Sequence, residues 1–144
     1  MRFILITMLS ILLVNNQSFS QNKKDKIEYS GSGIYIVGKT KSGKESFRKP
    51  LGKDVMIIYD TFFKSYSIAY IDQNGSLNFI DLEYVGDHSI IYGIKTTKMK
   101  DKRGNLFYVI DTINQTHELS WIVPKEYPGG LVGWVVICDV TKDK

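Results

Sequence analysis

Cysteine occurs once among the 144 residues, as Cys138, so no disulfide can close within the chain. A single domain of this size buries about two-thirds of its unfolded surface and folds without such staples. Histidine is nearly as scarce, with only His88 and His117. A zinc centre needs three or four ligands, and neither histidine sits in an H-E-x-x-H spacing, so no metal is expected. There is no G-x-S-x-G, and Cys138 lies in an apolar run where a thiol acts as a small hydrophobe. Lys+Arg 19 against Asp+Glu 15 leaves a net charge of +4, too mild a balance to call for a nucleic-acid partner. With no catalytic constellation and no cofactor motif that survives inspection, a non-enzyme without cofactors is expected.

The one long apolar stretch is at the start. Arg2 is followed by Phe3 to Val14, and the small residues Ser18 and Ser20 precede Gln21, the pattern of a signal peptide cut between Ser20 and Gln21. The stretch is short for a span of about 30 Å of hydrocarbon, and no stop-transfer segment follows. A secreted or periplasmic protein is expected, with no membrane span after cleavage. The domain organisation then reads as a leader over 1–20, a flexible polar arm over 21–28 and a single β domain over 29–144.

After the arm, apolar residues recur at period two. Tyr66, Ile68 and Tyr70 alternate with small residues, and Asn74-Gly75 supplies a strong hairpin signal. Ile80, Leu82 and Tyr84 continue the rhythm. Gly86-Asp87 reads as another turn, leading to Ile90, Tyr92 and Ile94 on one face. Lys100 to Asn105 reads as a third turn, before Leu106, Tyr108 and Ile110. Leu119, Trp121 and Val123 follow, and Pro124 is expected to end their pairing. Leu131 to Val140 reads as a central strand buried on both sides. With Ile34–Val37 and Val55–Tyr59 this makes about eight strands, although 54–64 also admits a short helix. The fold class is therefore all-β, a mostly antiparallel meander. It closes wholly or partly into a barrel, lipocalin-like in architecture only, or folds as a small two-sheet sandwich. The Gly-x-Trp signature of lipocalins is missing from Gly31-Ser32-Gly33-Ile34-Tyr35.

Gly33 to Thr40 formally fits G-x-x-x-x-G-K-T, with an apolar run ending in Asp139 downstream. Ile-Tyr-Ile-Val between the glycines cannot curl around a phosphate, and Lys41 to Lys44 has no apolar face for the helix that should follow. A strand and a turn are expected instead. Asp81 and Glu83 share one strand face and could serve acid–base chemistry in a cleft, but a solvated outer face is the plainer account of them. Asn74 and Asn114 head sequons in form and read as turn residues. His88 is expected in a surface turn and His117 at a strand end.

Charge is unevenly placed. Residues 39–53 carry six basic side chains against Glu45, and residues 95–103 carry five against Asp101. Those segments total +9, so the remainder of the 124-residue mature chain carries −6 within a net +3. If both basic loops reach one end, they form an anion-attracting surface. Nine tyrosines and two tryptophans supply core pairs and could line a barrel mouth. The expected function is an exported binding protein for an anionic or amphipathic ligand. Its candidate residues are Lys98, Lys100, Lys102, Arg103, Arg48, Lys49, Tyr92 and Trp121. An inhibitor or immunity-type protein that binds another exported protein is the alternative, and a small carboxylate-dependent hydrolase is a third reading.

Overall fold

A computed structural model of the protein describes residues 25–144, apart from the side chains at positions 87, 88 and 124–126. The leader expected over 1–20 and the first half of the arm lie outside the described residues. Chain order gives β1 (Lys26–Lys39), β2 (Glu45–Asp60), β3 (Ser65–Asp72), β4 (Leu77–Ile91) and β5 (Ile94–Lys100). There follow β6 (Leu106–Thr112), the single turn α1 (Ile113–Thr116), β7 (Glu118–Tyr127), β8 (Leu131–Cys138) and the short β9 (Thr141–Lys142). Each strand from β1 to β8 pairs antiparallel with the next, and β8 returns to β1, which closes a ring of hydrogen bonds. β9 adds two residues to the lower half of β1, at Tyr29 and Ser30. The all-β meander read from the period-two pattern is thus the observed fold, closed into an uneven barrel.

Alternation sorts the side chains. Ile34, Ile57, Ile68, Leu82, Met99, Leu119 and Ile137 come from seven strands and meet in one buried cluster. An eight-stranded ring leaves an interior just wide enough for side chains to fill, and these residues fill its waist. Ile113 of α1 and Val140 join the same cluster and close the lower end. β8 is buried on both faces, as its composition suggested. Val135 and Ile137 belong to the interior, while Val132, Trp134 and Val136 join a second apolar cluster with Val37 and Ile122.

Several local expectations are corrected. Gly86-Asp87 is not a turn; β4 runs through it with register shifts on either side of Gly86, and the chain reverses at Tyr92-Gly93. Gly93 supplies the positive φ such a tight reversal needs, and Tyr92 shares it at 50°. Lys95 to Lys100, taken for part of a basic loop, is strand β5. Most of the other basic segment is strand too, because β2 begins at Glu45, and no helix forms over 54–64, which is β2 up to Asp60 and then a four-residue turn. Pro124 does not end β7; a register shift between Val123 and Glu126 absorbs it, the bulge position where a residue without an N–H is tolerated. Lys26 to Glu28, expected in the arm, pair with Ile58 to Asp60.

The meander puts the β1–β2, β3–β4, β5–β6 and β7–β8 turns at the upper end. Three of them share one construction. Thr40–Lys44, Asp72–Ser76 and Asp101–Asn105 each close with the first residue's N–H donating to the fifth residue's carbonyl, at 2.9, 2.8 and 3.0 Å. The fourth residue is a glycine in the left-handed region in every case, with φ of 95°, 80° and 84°. This is the three-residue hairpin loop in which a type I turn is followed by a glycine bulge, closed by the first and fifth residues. Where the first residue is Asp, its carboxylate locks the turn further. Asp72 accepts from the Asn74 and Ser76 N–H groups, and Asp101 from those of Arg103 and Asn105, all at 2.9 Å.

Candidate functional site

At the upper end the barrel opens on one flank. β5 stops at Lys100, while its neighbour β4 runs on up to Leu77, so the top of β4 has no partner on that side. The β5–β6 turn stands across the resulting notch. A cavity of about 390 Å³ occupies this mouth. Leu51, Phe107, Trp121, Val123 and Val135 form its inner wall, Phe79, Ile80 and Asp81 its β4 side, and Asp101, Lys102 and Arg103 its rim. Trp121 is only 2 % exposed, which makes it a rigid floor, whereas the Phe79 ring is half exposed. Ligand pockets span roughly 300–1,000 Å³, so this mouth suits a small molecule or one end of a longer one.

The electrostatics of the rim follow from its hydrogen bonds. Asp101 spends its oxygens on the turn, taking the Asn105 side-chain amide at 3.0 Å besides two backbone N–H groups. The Asn105 bonds and the neighbouring Arg103 hold its carboxyl below the usual range even against some desolvation, so it stays ionised. Lys102 pairs with Asp81 at 3.0 Å. Arg103 makes no salt bridge among the described residues. Its guanidinium acts on Asp101 without closing an ion pair, which leaves its donors open beside an apolar wall.

Of the sequence candidates, Lys102, Arg103 and Trp121 come together here, and the others do not. Arg48 lies on the outer face, holding Glu45 with two bonds of 2.8 and 3.1 Å and the Cys138 Sγ at 3.2 Å. That bidentate contact lowers the Glu45 carboxyl, and Arg48 also sits 5.1 Å from the Tyr35 ring centroid. Cys138 is accordingly half-buried and hydrogen-bonded, more than the plain hydrophobe its run suggested. Lys49 is exposed on β2, opposite Ile36 on β1. Lys98 pairs with Tyr108 across the β5–β6 ladder, and Lys100 reaches Glu83 at 3.9 Å on the outside. Tyr92 caps the β4–β5 reversal at the opposite end. The carboxylates Asp81 and Glu83 thus take separate lysines, and the two charges are spoken for individually.

Residues 33–39 of the formal phosphate-binding pattern lie in β1, and Lys39 holds its ammonium 4.3 Å from the Trp134 ring centroid. A pleated strand turns successive N–H groups to opposite sides and offers no cradle. His117 caps α1 in a left-handed conformation, with Nδ1 3.2 Å from the Val140 carbonyl. Among the described residues, no three of His, Cys, Asp and Glu gather as a metal-binding group.

Sequence reasoning missed Phe79, Phe107 and Leu51 as mouth walls, although Phe107 follows from extending the Val109 side of β6 by two residues. It also missed a second chamber at the lower end. There Tyr66 donates its hydroxyl to Asp111 at 2.6 Å and stacks at 4.7 Å on Tyr59, with Tyr84 and Lys64 beside them. Burial first, and then the Asp111 charge, push the Tyr66 phenol far above its ordinary value. No protein-family profile, curated protein or solved structure matches the chain.

Proposed function

We propose that the protein is an exported, non-enzymatic binding protein whose upper mouth takes an anionic or amphipathic small molecule. The observation that carries this reading is the pairing of an apolar cavity of about 390 Å³ with Arg103, a rim cation held in no salt bridge among the described residues. An acyl or aryl tail would lie against Trp121, Phe107 and Val135, and the anionic head would meet Arg103. Export rests on the leader pattern of residues 1–20, and cleavage before Gln21 leaves the barrel intact because β1 begins at Lys26.

Decanoate titrated into the mature protein, followed by tryptophan fluorescence, tests the reading. Saturable binding is expected, weakened about tenfold by Arg103→Glu and by raised salt. Binding that 1-decanol reproduces, or that ignores Arg103→Glu, overturns the anionic head; no saturable binding of either compound overturns the site.

A further inference from the structure

The lower chamber has the opposite chemistry to the mouth. Tyr59, Tyr66 and Tyr84, from β2, β3 and β4, line a space of about 80 Å³ with Asp111 of β6 on its wall. Tyrosine faces carry negative quadrupole potential, and a carboxylate beside them deepens it. Asp111 keeps its place because Oδ2 accepts from Tyr66 and Oδ1 from the Ile113 N–H at 3.0 Å. A cation already stands at the entrance. Lys64, in the β2–β3 turn, holds its ammonium 4.9 Å from the Tyr84 ring centroid.

We infer that this chamber is a second ligand site, for a small organic cation with a primary or methylated ammonium group, and that Lys64 is its built-in competitor. Three facts converge on it. The walls are aromatic and anionic, the volume suits a compact head of a few heavy atoms, and the lysine contact shows the ring already accepting an ammonium. A slot on the side of the barrel adjoins the chamber. β5 and β6 pair only from Thr97↔Val109 upward, and below that they part around a slot of about 330 Å³. Slot and chamber share Thr97, Val109 and Asp111, and Asp111, itself exposed, borders both. The site is independent of the mouth, which lies at the other end of the packed waist.

Tetramethylammonium chloride titrated into the mature protein, with the tyrosine ring resonances followed by NMR, provides the test. tert-Butanol serves as the neutral probe of the same shape. Saturable shifts are expected for the cation alone. Lys64→Asn, which keeps a residue tolerant of the observed φ of 54°, should tighten binding severalfold by removing the competitor. Asp111→Asn keeps an oxygen for the Ile113 amide but loses the charge, and should weaken binding about tenfold. Equal shifts from tert-butanol, no saturation even in Lys64→Asn, or indifference to Asp111→Asn would each overturn the inference. Decanoate binding at the mouth is unaffected by the lower-end variants in either case, so the two sites fail or stand separately.

Discussion

Tyr66 on β3 reaches across the barrel to donate its hydroxyl to Asp111 on β6, at 2.6 Å, joining strands that are not neighbours in the sheet. Tyr66 is 7 % exposed, so the bond replaces lost hydration on the phenol. Tyr66→Phe should cost about 1–2 kcal/mol, the range for a hydrogen bond to a charged group when the other partner retains some solvent. Urea midpoints would fall with an unchanged m-value.

The same phenol gives an alkaline signature. Its folded pKa lies above the unfolded value of 10.0, because burial and Asp111 disfavour the phenolate. Above pH 10 the unfolded chain therefore binds fewer protons than the folded one, and stability declines as pH rises. Below pH 10 this contribution is fully present. Tyr29 and Tyr70 are raised in the same direction, mainly by burial. Urea midpoints between pH 8 and 11 should thus show a decline that Tyr66→Phe makes shallower without abolishing.

Two glycines test packing at close range. A Cβ on Gly52 would run into the Ile71 carbonyl of the paired strand, and backbone there cannot yield. One on Gly38 would meet the Phe47 ring near the hairpin tip, where a side chain can swing away. Gly52→Ala should cost about 3 kcal/mol or more, and Gly38→Ala about 1. Thermal melts of the two variants check the order, and a milder Gly52→Ala would refute the rigid-neighbour argument.

The turn glycines make a different case, since a Cβ at Gly75 or Gly104 meets nothing within 4 Å. Only the left-handed backbone objects. Gly75→Ala and Gly104→Ala should each cost about 1 kcal/mol, roughly 3–5 °C in Tm, and by similar amounts because their turns are alike.

Asp81→Asn separates stability from binding. Its partner Lys102 is 78 % exposed in the side chain, so losing the ion pair should change stability by less than about 0.5 kcal/mol. It also frees a second rim cation. Decanoate affinity should rise a few-fold, and a fall would argue against anion capture at the rim.

The alternation of Tyr66, Ile68 and Tyr70, and of Ile80, Leu82 and Tyr84, already held the inward face of β3 and β4. What it hid was the strand ends. β5 is rich in lysine because its outer face meets solvent, so its composition resembled a loop although Thr97 and Met99 point inward. Gly86 and Pro124 resembled turn residues because bulges use the same chemistry as turns. At the site, charge counting found Lys102 and Arg103, yet it could not tell that Arg48 and Lys100 were committed elsewhere. The Arg48 pair is local, with Glu45 three residues back on β2, whereas the Lys100 pair needs Glu83, which only the β4–β5 register brings near. The lower chamber was invisible for a related reason: nothing along the chain shows that Tyr66 of β3 and Asp111 of β6 meet across the barrel.

The repeated construction of the upper turns separates what the rim is from what it says. In the Asp72 and Asp101 turns the side chains of the two central residues, Gln73-Asn74 and Lys102-Arg103, take no part in the turn's own bonds. Identical frames thus display a neutral pair at one position and a doubly cationic pair at another. Exchanging such pairs would rewrite the sign of the mouth while leaving its scaffold untouched, so ligand preference here can drift at little cost to folding.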